Sequence, residues 1–491
     1  YAIKDNGKLR PSDILVSNEN MPPEYSYNLK PDYTKHNILN EHSSNRYINS
    51  SGEKTINPLV ILVDFSDNTP VHNHQYTKED FSELFFGQNP SSPNIPDSYQ
   101  ISVKDYYEEV SDGEITIAGG SESIVDWVTM PESYSYYVDG NQGLGMGEGG
   151  LERSAKAALV HAMGLIDVDM SEFDGNNDGV CDVVIMIMEG SDSGSLNEFW
   201  SYKGALGYGE ANTIDSSSPT LNNELTYDNI IIRNFIVTTE TIYHSSGSNY
   251  TSGDIRPIGT ICHEIGHVLG LPDLYDTSES SAPGIGDWGL MGTGNWNNQV
   301  SPSSFCSWSA SKLGIIDIES LDNLLDSEIE IEPVHLSRTA YKLNIGLEET
   351  GEYILLENRA ITGTDSYLKA EGLLLWHIDE RLTSTAPMYN EVNINKDFYG
   401  VRLLEAGGTN HLSTENSLIY SSESHIFDGF NEIFLINDYT IPSLKGNSYD
   451  RDSDSNIENS IESGLEIRDI SMSGNTINLF ITAPESSATT N

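Results

Sequence analysis

The chain has 491 residues and a formal net charge of −50, because 75 Asp and Glu residues stand against 25 Lys and Arg residues. A surface this acidic repels phosphate backbones and anionic lipids, so we expect no nucleic-acid partner. Apolar residues make up 37% of the chain, and none of their runs approaches the ~18 residues that cross a bilayer. We therefore expect no membrane insertion.

The first 54 residues are polar, contain four prolines and show little periodicity. We interpret residues 1–54 as an extension or the remnant of a pro-segment. The chain begins at Tyr1, and the earlier removal of a leader peptide would fit export from the cell. The three cysteines show no zinc-finger spacing and allow at most one disulfide. We expect Cys262 to be buried, or paired with Cys306 if the two lie close together.

The next segment mixes strand and helix patterns. Apolar, β-branched runs predict buried strands at 59–63 and 183–188, and a short alternating run predicts a strand at 115–117. Helical spacing of apolar residues predicts four helices, at 80–87, 103–110, 150–163 and 262–271.

The character of the sequence changes after about residue 316. Short alternating runs separated by turn residues are typical of a β-sandwich or a related all-β domain. They occur at 329–332, 353–357, 372–378, 399–404 and 476–481. We expect this domain to extend to residue 485 and to be followed by a disordered tail, 486–491.

The most informative motif is the sequence HEIGH at residues 263–267. Two histidines four residues apart lie on one face of a helix and can bind a single zinc ion. Glu264 is not needed as a ligand, and it is placed to accept a proton from water activated by the metal. The motif alone arises by chance in ordinary helices, so its continuation decides the interpretation.

The residues after the motif complete a three-ligand site. Gly270 permits a sharp turn because glycine tolerates positive φ, and the turn can return Asp273 to the metal, with Asp276 as the alternative. Three protein ligands leave one position open for water, as in catalytic zinc sites. The sequence GIGDWGLMG, residues 284–292, predicts a tight turn that carries Met291 beneath the metal.

These motifs resemble those of the immune inhibitor A-like family of secreted bacterial zinc metallopeptidases, within the metzincin group. The resemblance covers about residues 55–480 and is carried by segments 59–65, 102–107, 261–277, 287–292, 357–359 and 375–379. It implies an α+β metzincin-like zinc peptidase catalytic domain at 55–315, followed by an all-β, sandwich-like domain at 316–485. It also implies a secreted, extracellular enzyme that hydrolyses peptide bonds in proteins or peptides, and we expect this enzyme to be a monomer.

The sequence departs from the metzincin pattern at two places. Metzincins commonly carry a histidine where this chain has Asp273. Many also have a tyrosine two residues after the methionine, where this chain has Thr293. The group that stabilises the oxyanion is therefore open, and Tyr243, His244 and Tyr275 are weak candidates.

Residues 174–182, DGNNDGVCD, match the first part of a calcium loop. Oxygen-bearing side chains stand at positions 1, 3, 5 and 9, and glycine stands at position 6. The predicted calcium ligands are Asp174, Asn176, Asp178, Val180 and Asp182. Position 12, where a calcium sensor has glutamate, is Ile185, which excludes a paired-helix sensor. The alternative interpretation is a polar turn that leads into the next strand.

Other polar and aromatic groups receive plainer interpretations. The acidic cluster at 450–454 is more typical of a solvated loop than of a cation site, and the spacing of Asp64 and Asp67 does not decide between the two. A histidine at the end of an apolar run, such as His377, is usually a hydrogen-bonded core residue. Trp288, Trp296 and Trp308 are typical of packing around the methionine turn.

Three functions compete on these observations. The first is a secreted zinc endopeptidase with Zn²⁺ and Ca²⁺ as cofactors. The second is a calcium-stabilised binding protein that kept the fold without activity, and the third is a zinc hydrolase that acts on another bond. The presence of Glu264 beside both histidines favours an enzyme, because a binding protein has no need of the base. Nothing in the sequence indicates a phosphate or sugar site.

Overall fold

The computed structural model describes the chain in segments, and the statements below concern these segments alone. They are residues 2–5, 8–11, 47–48, 54–67, 74–145, 147, 150–192, 195–206, 225–243, 253–278, 282–345, 351–385, 390–428, 435–446 and 462–482. The chain divides into two compact units. The first contains residues 1–271 and 298–302, and the second contains residues 272–297 and 303–491.

The first unit contains eleven of the strands seen in the described segments. They are β1 (Ala2–Asp5), β2 (Lys8–Pro11), β3 (Lys54–Ile56), β4 (Pro58–Phe65), β5 (Ile115–Ile117), β6 (Ile124–Met130), β7 (Val183–Asp192), β8 (Tyr202–Ala205), β9 (Leu225–Tyr227), β10 (Ile230–Ile232) and β11 (Asn234–Ile242). Its helices are α1 (Lys78–Phe86), α2 (Val103–Ser111), α3 (Tyr134–Val138), α4 (Ala155–Met163) and α5 (Ile258–Val268).

The main sheet of the first unit has the strand order β6-β4-β7-β11-β8. The four strands from β6 to β11 run parallel, and β8 joins the edge in the antiparallel direction. Strands β4 and β11 are buried along their whole length, as expected for a parallel sheet covered on both faces. Since parallel strands end at the same edge, the residues that close β4, β7 and β11 lie side by side.

Two of the four predicted helices begin several residues away from their predicted starts, for local reasons. Helix α4 begins at Ala155 rather than at residue 150, because the Ser154 hydroxyl accepts a hydrogen bond from the Ala157 amide and caps the helix there. Helix α5 begins four residues earlier than predicted, directly after Pro257, and ends at Val268. Gly270 then has φ +94°, which is the positive φ expected for the turn that follows.

The second unit contains nine strands in the part of the chain that the structure describes. They are β12 (Asp317–Ser320), β13 (Ser327–Ile331), β14 (Thr339–Asn344), β15 (Glu352–Arg359), β16 (Gly372–Asp379), β17 (Val401–Leu403), β18 (Leu435–Asn437), β19 (Glu466–Ser473) and β20 (Thr476–Thr482). Its short helices are α6 (Asn295–Asn297), α7 (Ser307–Leu313), α8 (Val334–Ser337) and α9 (Glu380–Thr385).

These strands form two sheets, with the orders β12-β14-β15-β16-β17 and β13-β20-β19-β18. Both sheets contribute to one apolar core, which contains Leu356 and Leu375 from the first sheet and Ile467 and Leu479 from the second. A mixed content of helices and strands is therefore confirmed. The metzincin-like assignment, the all-β second domain and the limits 1–54, 55–315, 316–485 and 486–491 stay predictions.

A single buried arginine joins several segments of the second unit. The guanidinium of Arg359 donates to Glu357 Oε1 at 2.7 Å and to Asp365 Oδ2 at 2.9 Å. It also donates to the carbonyls of Trp288 and Phe305. Burial alone would lower the pKa of Arg359, but the carboxylates of Asp365 and Glu357 raise it above its ordinary value. The guanidinium therefore stays charged inside the core.

Replacing Arg359 by Lys should lower the free energy of unfolding by about 3 kcal/mol, because an ammonium cannot serve these acceptors together and leaves a buried carboxylate without its partner. Urea unfolding followed by circular dichroism measures this change. The control is Arg153→Lys, at an exposed arginine 3.5 Å from Asp139, which should change stability by less than about 1 kcal/mol. Equal, small effects for both variants would contradict this account of the arginine.

Candidate metal centre

Helix α5 places the predicted motif in the interior of the protein. The side chains of His263 and Glu264 are buried, and that of His267 is half-buried. The two imidazole rings have centroids 4.8 Å apart and lie nearly perpendicular, at 88°. Because residues four apart share a helical face, both rings are held on one side of α5.

Two tyrosine hydroxyls fix the backbone of α5. Tyr107, on α2, donates to the carbonyl of Cys262 at 2.7 Å, and Tyr47 donates to the carbonyl of Val268 at 3.1 Å. Burial raises the pKa of Tyr107 well above its ordinary value, and the nearby Cys262 and Glu264 raise it further. The phenol therefore stays neutral and keeps its proton to donate, directly beside the first histidine.

A backbone carbonyl also determines which ring nitrogen of His267 is available to bind a metal. Its Nδ1 lies 2.7 Å from the carbonyl oxygen of Leu271, an acceptor only, so Nδ1 carries the proton. The neutral imidazole then presents the lone pair of Nε2, which is how metal-binding histidines are oriented by a neighbouring carbonyl.

Asp273 completes a group that can hold a metal ion. One ligand atom each from His263, His267 and Asp273 lies within 4.8 Å of the other two. Asn390 holds Asp273 from both sides, since its side-chain amide donates to Asp273 Oδ2 and its side-chain carbonyl accepts from the Asp273 amide. The alternative, Asp276, turns its Oδ1 to the amide of Ser278 instead. The donor set of two imidazoles and a carboxylate fits zinc.

Leu274, directly after Asp273, is fixed by the methionine segment. Its amide donates to the carbonyl of Met291 at 2.7 Å, and its carbonyl accepts from the amide of Ile285 at 2.9 Å. Gly284 makes this approach possible: it has φ +67°, and a Cβ at this position would lie 1.9 Å from the Leu274 carbonyl oxygen. Met291 itself is buried. The predicted turn thus restrains the chain next to Asp273.

The position two residues after Met291 contributes no free hydroxyl. Thr293 is fully buried and donates its Oγ1 proton to Asp287 Oδ1 at 2.7 Å. Among the other candidates for the oxyanion, Tyr243 is 39% exposed and Tyr275 is half-buried. His244 lies outside the described residues.

The calcium loop adopts a tight turn held by its own backbone. Asp174 accepts from the amides of Asp178 and Gly179, at 3.0 and 2.8 Å. Asp182 accepts from the amide of Asn57 at 2.8 Å, outside the loop. Within the described residues, the loop carboxylates do not form a group close enough to be a metal site like that of Asp273. The same hydrogen bonds fit a polar turn, so Asp174, Asn176, Asp178, Val180 and Asp182 stay predicted ligands.

Several plainer predictions can be compared with the structure directly. Cys181, Cys262 and Cys306 are all buried and none of them forms a disulfide, so the burial expected for Cys262 is confirmed and the alternative of a disulfide with Cys306 is wrong. His377 is a buried residue whose Nε2 lies 3.0 Å from Glu352 Oε2, as interpreted. The cluster 450–454 lies outside the described residues.

A second group of potential metal ligands was not predicted. Glu405, His411 and His425 in the second unit also bring ligand atoms within 4.8 Å of one another. Glu405 and His411 are 6 residues apart in the chain, and His425 follows 14 residues after His411. The three come together only through the fold, so no local spacing could have indicated them.

The hydrogen bonds of this second group argue against a metal. The indole N–H of Trp288 donates to His425 Nδ1 at 3.2 Å, so a neutral His425 carries its proton on Nε2. That nitrogen lies 3.1 Å from His411 Nδ1 and can donate to it. Burial lowers the pKa of His425 to about 4, which keeps the ring neutral. Because a metal needs the lone pair of Nε2, this chain of donors satisfies the buried ring without one.

Comparison with known proteins finds a family and relatives that are similar to the part of the chain that carries this geometry. Residues 44–182 and 239–314 match the family described as immune inhibitor A peptidase M6, catalytic domain. Immune inhibitor A of Bacillus thuringiensis subsp. alesti is 27% identical over 282 residues, covering 50% of this chain and 38% of that protein. The pre-pro-metalloprotease PrtV of Vibrio cholerae serotype O1 (strain M66-2) is 25% identical over 293 residues, covering 52% of this chain and 29% of that protein. The chain thus spans well under half the length of either relative, and the predicted resemblance to the family is confirmed.

Metal content distinguishes the two groups. We expect His411→Ala to bind as much zinc per chain as the unaltered protein, because His425 is already satisfied by Trp288 and His411. We expect His263→Ala to lose its zinc. Inductively coupled plasma mass spectrometry after gel filtration measures both. Loss of one zinc ion per chain in His411→Ala would show that the second group is a metal site.

Proposed function

Since the chain carries a catalytic domain of the immune inhibitor A metallopeptidase family, we propose that it is a zinc-dependent endopeptidase that hydrolyses peptide bonds in proteins. The observation that carries this proposal is the group formed by His263, His267 and Asp273, with the buried Glu264 next to the first histidine. All four residues lie in the matched segment 239–314. A zinc hydrolase that acts on another bond would need a recognition site for its own substrate, and no observation on the described residues indicates such a site.

Each residue has a distinct role in the proposed mechanism. His263, His267 and Asp273 would hold the ion, which would supply a Lewis acid and lower the pKa of a water molecule to roughly 7. Glu264 accepts the proton of the attacking water on its carboxylate and then donates it to the nitrogen of the leaving amine. Asn390 keeps the Asp273 carboxylate in place, and Leu271 keeps the proton on His267 Nδ1.

Burial supports the role of Glu264. Its side chain is 7% exposed, so it meets few water molecules other than one that enters the site.

We also propose that the protein acts outside the cell, as a monomer on protein or peptide substrates. The acidic surface supports this, because a net charge of −50 keeps a protein soluble and salt screens its self-repulsion. In the described segments, no helix has both the length and the apolar character needed to cross a membrane.

Replacing Glu264 by Gln should lower kcat for a peptide substrate by a factor of about 10² to 10⁴, because general acid–base catalysis contributes on this scale. Zinc content should not change, since Glu264 is not a ligand in the proposed site. Hydrolysis of a fluorogenic peptide library and metal analysis of the same sample provide the two measurements. The control is Glu122→Gln, at an exposed glutamate, which should retain full activity. Hydrolysis at the normal rate by Glu264→Gln would refute the assignment of the base.

A structural calcium ion at residues 174–182 is a second, separate part of the proposal. The turn formed by Asp174 and its amide donors supports it, because each carboxylate oxygen has a further lone pair that can bind a cation. The ion would hold the chain just before β7 and limit proteolysis of the loop.

We expect millimolar CaCl₂ to raise the unfolding temperature of the zinc-loaded protein and to slow cleavage by trypsin. Asp178→Asn should weaken both effects, because it removes a charged ligand from loop position 5. Asn177→Gly is the matched control, since position 4 supplies no ligand and its φ of +60° suits glycine. If Asp178→Asn responds to calcium as strongly as Asn177→Gly does, the loop is only a polar turn.

A further inference from the structure

Three acidic residues lie in a row across the main sheet of the first unit. Strands β4 and β7 pair in parallel up to Val63 and Met188, so the next residues, Asp64 and Glu189, are neighbours in the same register. Strand β11 pairs with the other side of β7, and its irregularity between Thr239 and Thr241 falls at Glu240. We call Asp64, Glu189 and Glu240 the acidic row. Side chains at one register point to one face of a sheet, about 4.8 Å apart along the row.

The acidic row is buried, and its central member has no partner. Glu189 and Glu240 are 0% exposed, and Asp64 is 6% exposed. Neither carboxylate oxygen of Glu189 makes a hydrogen bond within the part of the chain that the structure describes, and Asp64 Oδ1 makes none either. The Phe65 amide lowers the pKa of Glu189, but it does not form a hydrogen bond of normal geometry with either oxygen. Buried carboxylates almost always have partners, so this arrangement requires an explanation.

The charges around Glu189 make its position more unfavourable. Burial raises its pKa to about 8, and the nearby Asp64, Glu240 and Asp67 add to the effect. All the charges that act on this carboxyl are therefore negative. Taking several carboxylates out of water without a counter-charge is unfavourable, and a bound cation would offset this penalty.

The contacts of Glu240 and of His74 fix the orientation of their side chains, but they do not neutralise the charge of the row. Glu240 accepts from the amides of Gln75, Tyr76 and Gly190, which fixes its direction, and burial still raises its pKa to about 7. His74 stacks on Trp127, with ring centroids 4.4 Å apart. Its Nδ1 lies 3.7 Å from Asp64 Oδ2, too far for a hydrogen bond. Glu240 is thus held in place by hydrogen bonds, whereas Glu189 at the centre of the row has no hydrogen-bond partner among the described residues.

We propose that the acidic row of Asp64, Glu189 and Glu240 binds a divalent cation of the calcium type at the carboxyl ends of β4, β7 and β11. Carboxylate oxygens are the ligands of hard cations such as Ca²⁺, which takes six to eight oxygens at 2.3–2.6 Å and completes its shell with water. The three carboxylates do not all lie within 4.8 Å of one another, so the ion would have to draw their side chains together. The row offers only oxygen ligands, which favours calcium over zinc. Ligands at this edge of a parallel sheet are common, because the strands end there together.

This site is independent of both sites described above. Glu189 lies outside the segments that match the peptidase family, 44–182 and 239–314, whereas Asp64 and Glu240 lie inside them. None of the three belongs to the group of His263, His267 and Asp273. The calcium loop at 174–182 precedes the start of β7, whereas the acidic row lies towards its other end. The site would therefore stand even if the loop bound no calcium, and its test does not depend on peptidase activity.

Terbium luminescence can test the site. Tb³⁺ binds in place of Ca²⁺ and emits when an excited tryptophan lies near, and Trp127 is close to the row through His74. We would titrate calcium-depleted, zinc-loaded full-length protein with TbCl₃, and compare it with Glu189→Gln, Glu122→Gln, Asp174→Asn and Trp127→Phe. Glu189→Gln should bind Tb³⁺ roughly tenfold or more weakly at this site. Trp127→Phe should lower the emission, whereas Glu122→Gln and Asp174→Asn should keep it.

Thermal unfolding gives a second measurement that a misfolded variant could not imitate. Without calcium, Glu189→Gln should unfold at the same temperature as the unaltered protein or higher, because it removes an unpaired buried charge. At saturating CaCl₂ the order should reverse, with a rise of about 5 °C in the unaltered protein and a smaller rise in the variant. Asp64→Asn should behave in the same way.

Two outcomes would overturn the proposal. In one, Glu189→Gln gains as much stability from calcium as Glu122→Gln does. In the other, all the bound calcium, measured by equilibrium dialysis, is lost in Asp174→Asn. In both cases Glu189 would instead be a carboxyl that stays protonated in the folded protein.

Discussion

The structure depends on one constraint: polar groups taken out of water must find partners inside the protein. Helix α5 is almost entirely buried, yet it carries two histidines and a glutamate. The fold meets the constraint by bringing donors and acceptors to this helix from distant parts of the chain. Tyr107 and Tyr47 bind its carbonyls, and the Leu271 carbonyl binds its last histidine. The positions of the proposed catalytic side chains follow from these contacts.

Two buried charge clusters show different solutions to the same constraint. Arg359 lies among Glu357, Asp365 and two backbone carbonyls, so positive and negative groups satisfy one another. Glu189, at the centre of the acidic row, has no such counter-charge beside it among the described residues. The first cluster is complete without any ligand, and the second becomes comparable to it only when a cation is present. This contrast is why the two clusters lead to different conclusions about what the protein binds.

The sequence predicted those features that are encoded locally. The spacing of His263, Glu264 and His267 indicates a helical face because the period of a helix is local, and Gly270 indicates the turn because of its permitted φ. Strand β11 was missed because its threonines and Glu240 make a buried strand look polar. Asn390 and the group of Glu405, His411 and His425 were missed because their partners are brought together only by tertiary structure. The acidic row needs the registers of three strands, which no spacing along the chain reveals, although Asp64 had been noted.

The contact between Gly284 and Leu274 has an evolutionary consequence. A side chain at residue 284 would occupy the space of a carbonyl oxygen, and its backbone conformation is unfavourable for any residue with a Cβ. Natural variation at this position should therefore be suppressed even though the residue performs no chemistry. A diverged sequence that carries a larger residue there would have to reroute the chain around the methionine, and would deliver its third metal ligand along a different path.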